Sequence, residues 1–160
     1  MKKQQNNEFK KAYQIAIYVH GKQKRWNGKP YMSHIIGVTD ILRQAGYNKH
    51  NLILVGLLHD TLEDCPKYQT QTIENIIKNK INKEILYKVQ ILTHNNNESY
   101  DNYIDRVVLN KDATIVKIAD MVYNLADTIG CSQFPEQRKN YLRNFPKLLK
   151  VLINDNIKKN

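Results

Sequence analysis

The stretch NLILVGLLHDTLEDCP, residues 51–66, is apolar from Leu52 to Leu58 and polar immediately afterwards. Its last turn carries four ionisable side chains, namely His59, Asp60, Glu63 and Asp64. The apolar run predicts a helix over about residues 50–64 that lies in the protein interior. Charged groups that leave water must be paired, hydrogen-bonded or bound to a metal. The stretch therefore predicts a buried helix whose final turn needs a partner for its charges.

Apolar residues recur at helical spacing along the rest of the chain, and no segment alternates as a strand would. The predicted helices cover about residues 8–24, 33–45, 50–64, 70–79, 82–93, 98–109, 113–128 and 135–153. Ser33 and Asp112 are the expected N-caps of the second and seventh helices, which Gly46 and Gly130 are expected to end. The sequence thus predicts an all-α fold of about eight helices, in a single domain over residues 1–160.

Composition favours a globular protein, with 41% hydrophobic and 9% aromatic residues. No run approaches the roughly 18 uninterrupted apolar residues of a membrane helix, and the basic N-terminus is not followed by the apolar segment of a signal peptide. We therefore expect no membrane association and a cytoplasmic location. Cys65 and Cys131 are too few for a disulfide framework.

The formal net charge of +10 favours an anionic partner, either a phosphorylated small molecule or nucleic acid. The lysines are nevertheless spread along the whole chain, as they would be on solvated helix faces. No groove-reading motif of a nucleic-acid-binding protein is present. Binding to nucleic acid is accordingly the least favoured interpretation of the charge.

The acidic turn at residues 59–64 has two interpretations. His59 and Glu63 are one helical turn apart, as are Asp60 and Asp64, so the four groups form one patch. They lie at the negative end of the helix dipole, where each carboxylate is disfavoured by about 0.3–1 kcal/mol. Either a bound cation or a catalytic role explains this placement, or the acids lie on the surface beside a core histidine.

Two further polar residues are predicted to face the interior. His34 shares the core-facing side of its helix with Val38 and Leu42, and Asp120 lies in an otherwise apolar helix. Each has an ordinary explanation, a structural histidine in one case and an intrahelical pair with Lys117 in the other. Taken with His59 and Asp60, they form a set of nitrogen and oxygen donors that suits Mn, Fe, Co, Ni or Zn. Such an ion can activate water and polarise a phosphoryl group.

Three ordered blocks resemble a known family. They are HGKQKRWNGKPYMSH at residues 20–34, LVGLLHDTLEDC at 54–65 and VKIADMVYNLADT at 116–128. Together they are similar to the signature of HD-domain metal-dependent phosphohydrolases. The closest resemblance, over about residues 8–130, is to the hydrolase domain of RelA/SpoT-type enzymes and their small stand-alone relatives, which degrade the alarmones ppGpp and pppGpp.

The resemblance implies a helical HD-domain fold, one divalent metal, of which Mn²⁺ is the first candidate, and a set of site residues. The implied metal ligands are His34, His59, Asp60 and Asp120. The acidic pair Glu63 and Asp64 would orient or deprotonate the attacking water. The substrate-binding residues it implies, directly or by proximity, are Arg25, Asn124, Lys24, Lys117 and Tyr31.

Several positions depart from the family pattern. Ile35 replaces a proline, Lys22 replaces a glycine, and Trp26 stands where a basic or small residue is usual. Tyr123 replaces a histidine that supports the metal site, and Asp127 replaces a threonine that commonly faces the nucleotide. These changes leave the implied metal ligands intact and bear on nucleotide specificity.

The expected activity is removal of the 3′-pyrophosphate from ppGpp or pppGpp, which gives GDP or GTP and pyrophosphate. One alternative is hydrolysis of another phosphorylated nucleotide, such as NADPH, a nucleoside monophosphate or a cyclic nucleotide. The other is a non-catalytic module that binds a nucleotide. The remaining histidines, His20, His50 and His94, are expected to be structural or surface groups.

Overall fold

The computed structural model describes residues 2–129 and 131–157, and it confirms the all-α prediction. The helices are α1 Lys2–His20, α2 Met32–Gln44, α3 His50–Leu58, α4 Thr61–Asp64, α5 Thr70–Lys80, α6 Lys83–Leu92, α7 Tyr100–Val107, α8 Lys111–Asp127 and α9 Pro135–Ile157. A short 3₁₀ turn, Lys67–Gln69, precedes α5. Within the described ranges the only strand-like pairing is an isolated bridge between Lys24 and Pro30. None of the described helices combines the length and apolarity needed to cross a bilayer.

Helix α3 lies at the centre of the core. Its residues Leu52–Leu58 are all buried, as expected for a helix that is apolar on every side. Helices α1, α2, α6 and α8 surround it, and α9 packs across α7 and α8. Because α3 is enclosed in this way, the polar residues that follow it enter the protein interior.

The predicted helix over residues 50–64 is interrupted, so the prediction of one continuous helix there is wrong. Helix α3 ends at Leu58, and α4 begins at Thr61. At the break, Thr61 Oγ1 donates a hydrogen bond to the Leu58 carbonyl at 2.6 Å. The backbone of Asp60 departs from regular helical angles, with φ −96° and ψ −4°. The side chain of Thr61 thus satisfies a carbonyl that the helix would otherwise use.

Two predicted N-caps are also wrong. Ser33 Oγ donates to the Pro30 carbonyl instead of capping α2. Asn110 caps α8, since its side chain accepts from the Ala113 N–H, while Asp112 pairs with Lys88 at 2.7 Å. The N-cap of α8 is therefore the side-chain amide of Asn110 and not the carboxylate of Asp112. The predicted helix end at Gly130 lies outside the described residues.

The turn between α1 and α2 is more ordered than its sequence suggests. The predicted first helix ends at His20 rather than residue 24, and the chain then folds back on itself. Tyr31 N–H donates to the Gln23 carbonyl at 3.0 Å, and Arg25 N–H donates to the Lys29 carbonyl at 2.9 Å. Gly28 has φ +80°, a conformation that residues with a Cβ rarely adopt. The turn presents Arg25, Trp26 and Tyr31 to one side of the molecule.

Helices α2 and α8 approach closely at Gly37. A Cβ atom at this position would overlap the ring of Tyr123. The same ring meets His34 edge-on, with 5.0 Å between ring centroids. The absence of a side chain at residue 37 therefore allows Tyr123 to support His34.

We predict that Gly37→Ala lowers the free energy of unfolding by about 1–3 kcal/mol because of this overlap. Helix propensity alone would act in the opposite direction by roughly 0.5–1 kcal/mol. Urea denaturation of the single variant and of Gly37→Ala/Tyr123→Leu measures the effect. Because leucine is smaller than tyrosine, adding Gly37→Ala to Tyr123→Leu should cost much less free energy of unfolding than adding it to the wild type. An equal cost in both backgrounds would contradict the proposed overlap.

Candidate active site

Four polar side chains from three parts of the chain meet in the interior. His34 comes from α2, His59 and Asp60 from the break between α3 and α4, and Asp120 from α8. His34 Nε2 lies 3.1 Å from His59 Nε2, 3.2 Å from Asp60 Oδ2 and 3.3 Å from Asp120 Oδ1. His59 Nε2 lies 3.1 Å from Asp60 Oδ2 and 3.9 Å from Asp120 Oδ1. The structure thus brings together all four residues of the predicted ligand set.

Hydrogen bonds orient these side chains toward one point. His59 Nδ1 donates to the Gly56 carbonyl at 2.8 Å, so Nε2 is the nitrogen that this ring offers to a metal ion once it has lost its proton. Tyr31 donates its hydroxyl to Asp60 Oδ2 at 2.7 Å. Asp120 accepts from Lys117 Nζ at 2.8 Å and from Asn124 Nδ2 at 2.6 Å. Supporting contacts of this kind commonly orient metal ligands.

The protonation of the cluster follows from its crowded charges. Burial disfavours the charged imidazole of His59, but Asp60 and Asp120 outweigh this effect and raise its pKa to about 9. Burial likewise favours the neutral carboxyl groups, yet His59 and His34 hold the pKa of Asp60 well below its ordinary value. Lys117 is the main group that lowers the pKa of Asp120 against the effect of burial. Both carboxylates are therefore ionised at neutral pH.

The donor arrangement fits a divalent metal ion. The donor atoms of His34, His59 and Asp120 all lie within 4.8 Å of one another, and Asp60 Oδ2 is within 3.2 Å of both imidazoles. Two donors that bind one ion at right angles, with bonds of ~2.1 Å, are ~3 Å apart. Two imidazole nitrogens and two carboxylates form the mixed set that transition metals prefer.

The structure separates the two residues of the predicted acidic pair. Glu63 lines the cavity beside the four-residue cluster, and its Oε2 accepts from the backbone N–H of His94 at 3.0 Å. Burial raises the pKa of the Glu63 carboxyl. Asp64 lies instead near His20, with 3.6 Å between Oδ2 and Nδ1, and burial together with Asp60 raises its pKa to about 6. Of this pair, Glu63 is thus the acid that faces the cavity.

A cavity of about 280 Å³ opens from the cluster to the surface. All the predicted substrate-binding residues line it, namely Lys24, Arg25, Tyr31, Lys117 and Asn124. Trp26 and Phe134 also line it, with their rings edge to face at 6.2 Å and about two fifths of each residue exposed. The side chains of the cavity combine cations with exposed aromatic faces.

Arg25 is engaged by an acid within the protein. Its Nε donates to Asp127 Oδ2 and its Nη2 donates to Asn124 Oδ1, both at 2.9 Å. The side chains of Arg25 and Asp127 are each only 8% exposed. The family threonine that Asp127 replaces could not form this ion pair. The substitution therefore compensates much of the charge that Arg25 would offer to a substrate.

Sequence reasoning missed several residues of the site. His20 is fully buried, stacks on Tyr31 at 4.8 Å and hydrogen-bonds Gln23 through Nδ1 at 2.8 Å. Its position at the start of the first family block was a signal of this role. Phe134, Gln137 and Tyr141 line the cavity from the C-terminal part of the chain, which lies outside the three blocks and offered no signal. His50 is remote from the cluster and pairs with Glu8 at 2.8 Å.

Comparison with known proteins agrees with this geometry. A family model described as HD domain matches residues 12–156. The chain belongs to the HD domain family. A solved structure, described as a metazoan ortholog of SpoT that hydrolyzes ppGpp, matches 92% of this chain and 84% of its own chain, with a TM-score of 0.68 and 23% identity. That match shows that the two proteins share a fold.

Curated relatives confirm the resemblance to RelA/SpoT-type proteins. The guanosine-3′,5′-bis(diphosphate) 3′-pyrophosphohydrolase of Aquifex aeolicus is 37% identical over 90 residues, which is 56% of this chain and 12% of that protein. A GTP pyrophosphokinase of Brucella ovis is 31% identical over 127 residues, or 75% of this chain and 16% of that protein. The HD-domain chain thus spans less than a fifth of the length of these relatives.

The donor geometry predicts that Mn²⁺ stabilises the folded protein. At 100 times its Kd, an ion that binds only the folded state adds about 2.7 kcal/mol, which raises Tm by about 8 °C in a chain of this size. Differential scanning calorimetry with and without Mn²⁺ measures the shift. His59→Ala should abolish it, and His50→Ala, which removes a remote imidazole, should preserve it. An undiminished shift in His59→Ala would place the ion elsewhere.

Proposed function

We propose that this HD-domain protein is a metal-dependent phosphohydrolase that removes the 3′-pyrophosphate from ppGpp or pppGpp. The observation that carries the proposal is the convergence of His34, His59, Asp60 and Asp120 next to an open cavity, which Asp60, Asp120 and Glu63 line. The proposed substrate rests on the relatives, since the similar protein of Aquifex aeolicus is a guanosine-3′,5′-bis(diphosphate) 3′-pyrophosphohydrolase.

The four converging side chains would hold one divalent ion, and Mn²⁺ is the first candidate because it accepts both nitrogen and oxygen donors. When bound, the ion would polarise a phosphoryl group and activate water. Tyr31, Lys117 and Asn124 would keep Asp60 and Asp120 in position, since each donates a hydrogen bond to one of these carboxylates.

Glu63 would manage the proton of the attacking water. Its Oε2 is held by the His94 N–H, which leaves Oε1 to accept the proton. The water oxygen bonds to phosphorus, the bond from phosphorus to the ribose 3′-oxygen breaks, and that oxygen takes up a proton as pyrophosphate leaves. A carboxyl whose pKa is raised by burial is suited to accepting and returning a proton. Asp64 would affect the site only indirectly, because its carboxylate interacts electrostatically with Asp60.

The remaining cavity residues would bind the nucleotide. Lys24 and Lys117 supply positive charge for phosphate groups. Asn124 lines the same cavity and would contribute by holding Arg25 and Asp120 through its amide. The exposed faces of Trp26 and Phe134 offer a surface on which a nucleobase can stack, a contact worth about 1–3 kcal/mol per base. The +10 net charge attracts an anionic substrate of this kind.

Hydrolysis of another phosphorylated nucleotide is the second candidate, favoured by the ion pair between Arg25 and Asp127. A non-catalytic binding module is less favoured, because Glu63 would have no function in it. Direct binding of nucleic acid ranks last, and a cytoplasmic location stays a prediction from the sequence.

The deciding experiment incubates Mn²⁺-loaded protein with ppGpp, pppGpp, NADPH, nucleoside monophosphates and cyclic nucleotides, and measures released phosphate and pyrophosphate. We expect GDP or GTP with equimolar pyrophosphate from the alarmones. Release of orthophosphate from NADPH, with no product from the alarmones, would favour hydrolysis of another phosphorylated nucleotide. No product from any compound, in protein shown to contain the ion, would refute catalysis.

We predict that Glu63→Gln lowers kcat by about 10²–10⁴-fold, the usual contribution of a general acid–base group. The amide retains the size of the side chain and cannot take up the proton. Metal content measured by mass spectrometry should not change. Glu136→Gln, at an exposed glutamate of α9, is the control and should keep the wild-type kcat. A Glu63→Gln variant with full turnover would exclude Glu63 as the base.

We further predict that Asp127→Thr lowers KM for ppGpp by about tenfold, because Arg25 becomes available for a charge-assisted hydrogen bond to the substrate. The same variant should lower Tm, since it leaves a buried guanidinium without its acid. Asp40→Thr, which breaks an exposed pair with Arg43, should change neither value appreciably. An unchanged KM in Asp127→Thr would show that Arg25 does not contact the substrate.

A further inference from the structure

A second cavity of about 320 Å³ adjoins the first, between the loop at His94 and helices α7, α8 and α9. The two cavities share four lining residues, namely Glu63, Lys117, Gln137 and Tyr141. Because Glu63 and Lys117 stand at this boundary, a substrate centred at the metal ligands can extend past them. The second cavity is thus a continuation of the proposed active site.

Lys117 brings positive charge to the boundary of the second cavity. Its side chain is 12% exposed, and Nζ lies 6.0, 5.1 and 5.9 Å from the ring centroids of Tyr100, Tyr103 and Tyr141. Nζ donates to Asp120 Oδ2, and an ammonium group has three hydrogens to donate. Asp120 also belongs to the proposed metal ligands, so its charge would be shared between a bound ion and Lys117.

Two tyrosine hydroxyls in the cavity have a hydrogen to donate. Tyr100 Oη is buried and has no hydrogen-bond partner among the described residues. Tyr141 Oη accepts from Gln137 Nε2 at 2.9 Å and from Asn124 Nδ2 at 3.4 Å, which leaves its own hydrogen for an acceptor. Tyr103 differs, because its hydroxyl donates to the Leu92 carbonyl at 2.6 Å.

We infer that the second cavity is a phosphate subsite that binds a phosphate group of the substrate other than the one at the metal ligands. Phosphate oxygens only accept hydrogen bonds and carry negative charge, so they match Lys117 and the hydroxyls of Tyr100 and Tyr141. A bound phosphate would also satisfy the buried Tyr100 hydroxyl. The inference deepens the proposed function and rests on it.

The phosphate has two possible sources in an alarmone. It is either the distal phosphate of the 3′-pyrophosphate that leaves, or a phosphate of the 5′ chain that stays on the nucleoside. Inorganic pyrophosphate represents the first source, and GDP represents the second. Calorimetric titration of each compound into Mn²⁺-loaded protein distinguishes them, with metal content measured before and after to exclude stripping of the ion.

The variants for this titration are Tyr100→Phe and Tyr141→Phe, which each delete one donor and keep the ring beside Lys117. We expect the affinity for at least one of the two compounds to fall about tenfold, the effect of losing one hydrogen bond to a charged group. Tyr103→Phe is the matched control, since its hydroxyl already bonds the Leu92 carbonyl. Its affinities should stay within about twofold of wild type.

A loss limited to pyrophosphate assigns the subsite to the leaving group, and a loss limited to GDP assigns it to the 5′ chain. Wild-type affinity for both compounds in Tyr100→Phe and Tyr141→Phe overturns the inference. So does an equal loss in Tyr103→Phe, or no binding of either compound to the wild-type protein. If no nucleotide is hydrolysed but Tyr100→Phe still weakens pyrophosphate binding, the proposed function fails and the subsite stands.

Discussion

The compensation of buried charge at one point determines much of this structure. His34, His59 and Asp120 are almost completely removed from water, and Asp60 lies against them. Such groups are tolerated in a protein interior only when opposite charges, hydrogen bonds or a metal ion balance them. The three elements that carry them must therefore meet, and α2, the break after α3, and α8 do meet around this cluster.

The fold prepares this meeting through its most apolar element. Helix α3 is buried on all sides. The polar residues His59 and Asp60, which follow it directly, therefore lie inside the protein. The interruption between α3 and α4 orients His59 and Asp60. His59 then donates a hydrogen bond to the Gly56 carbonyl, and Asp60 accepts one from the Tyr31 hydroxyl. Stability and chemistry are thus coupled, because the segment that supplies the core also supplies half of the proposed ligands.

The two cavities beside this cluster differ in how their charged side chains are paired. The ion pair of Arg25 with Asp127 reduces the charge on one wall of the first cavity, whereas Lys117 and two tyrosine hydroxyls give the second cavity an excess of hydrogen-bond donors. Hydrogen-bond donors therefore continue from the first cavity into the second, and Lys117 and Tyr141 line both. A substrate that carries phosphate groups at two separate positions would use both.

The sequence by itself determined the helical class, the buried third helix and the four residues of the candidate metal centre, because periodicity and ordered motif blocks are local properties of the chain. It did not determine the break at His59–Asp60 or the cap at Asn110, which depend on competition between neighbouring side chains for backbone groups. Only the tertiary structure paired Arg25 with Asp127, separated Glu63 from Asp64 and placed Tyr100 and Tyr141 beside Lys117. Those contacts join residues far apart in the chain, and the packing of whole helices decides them.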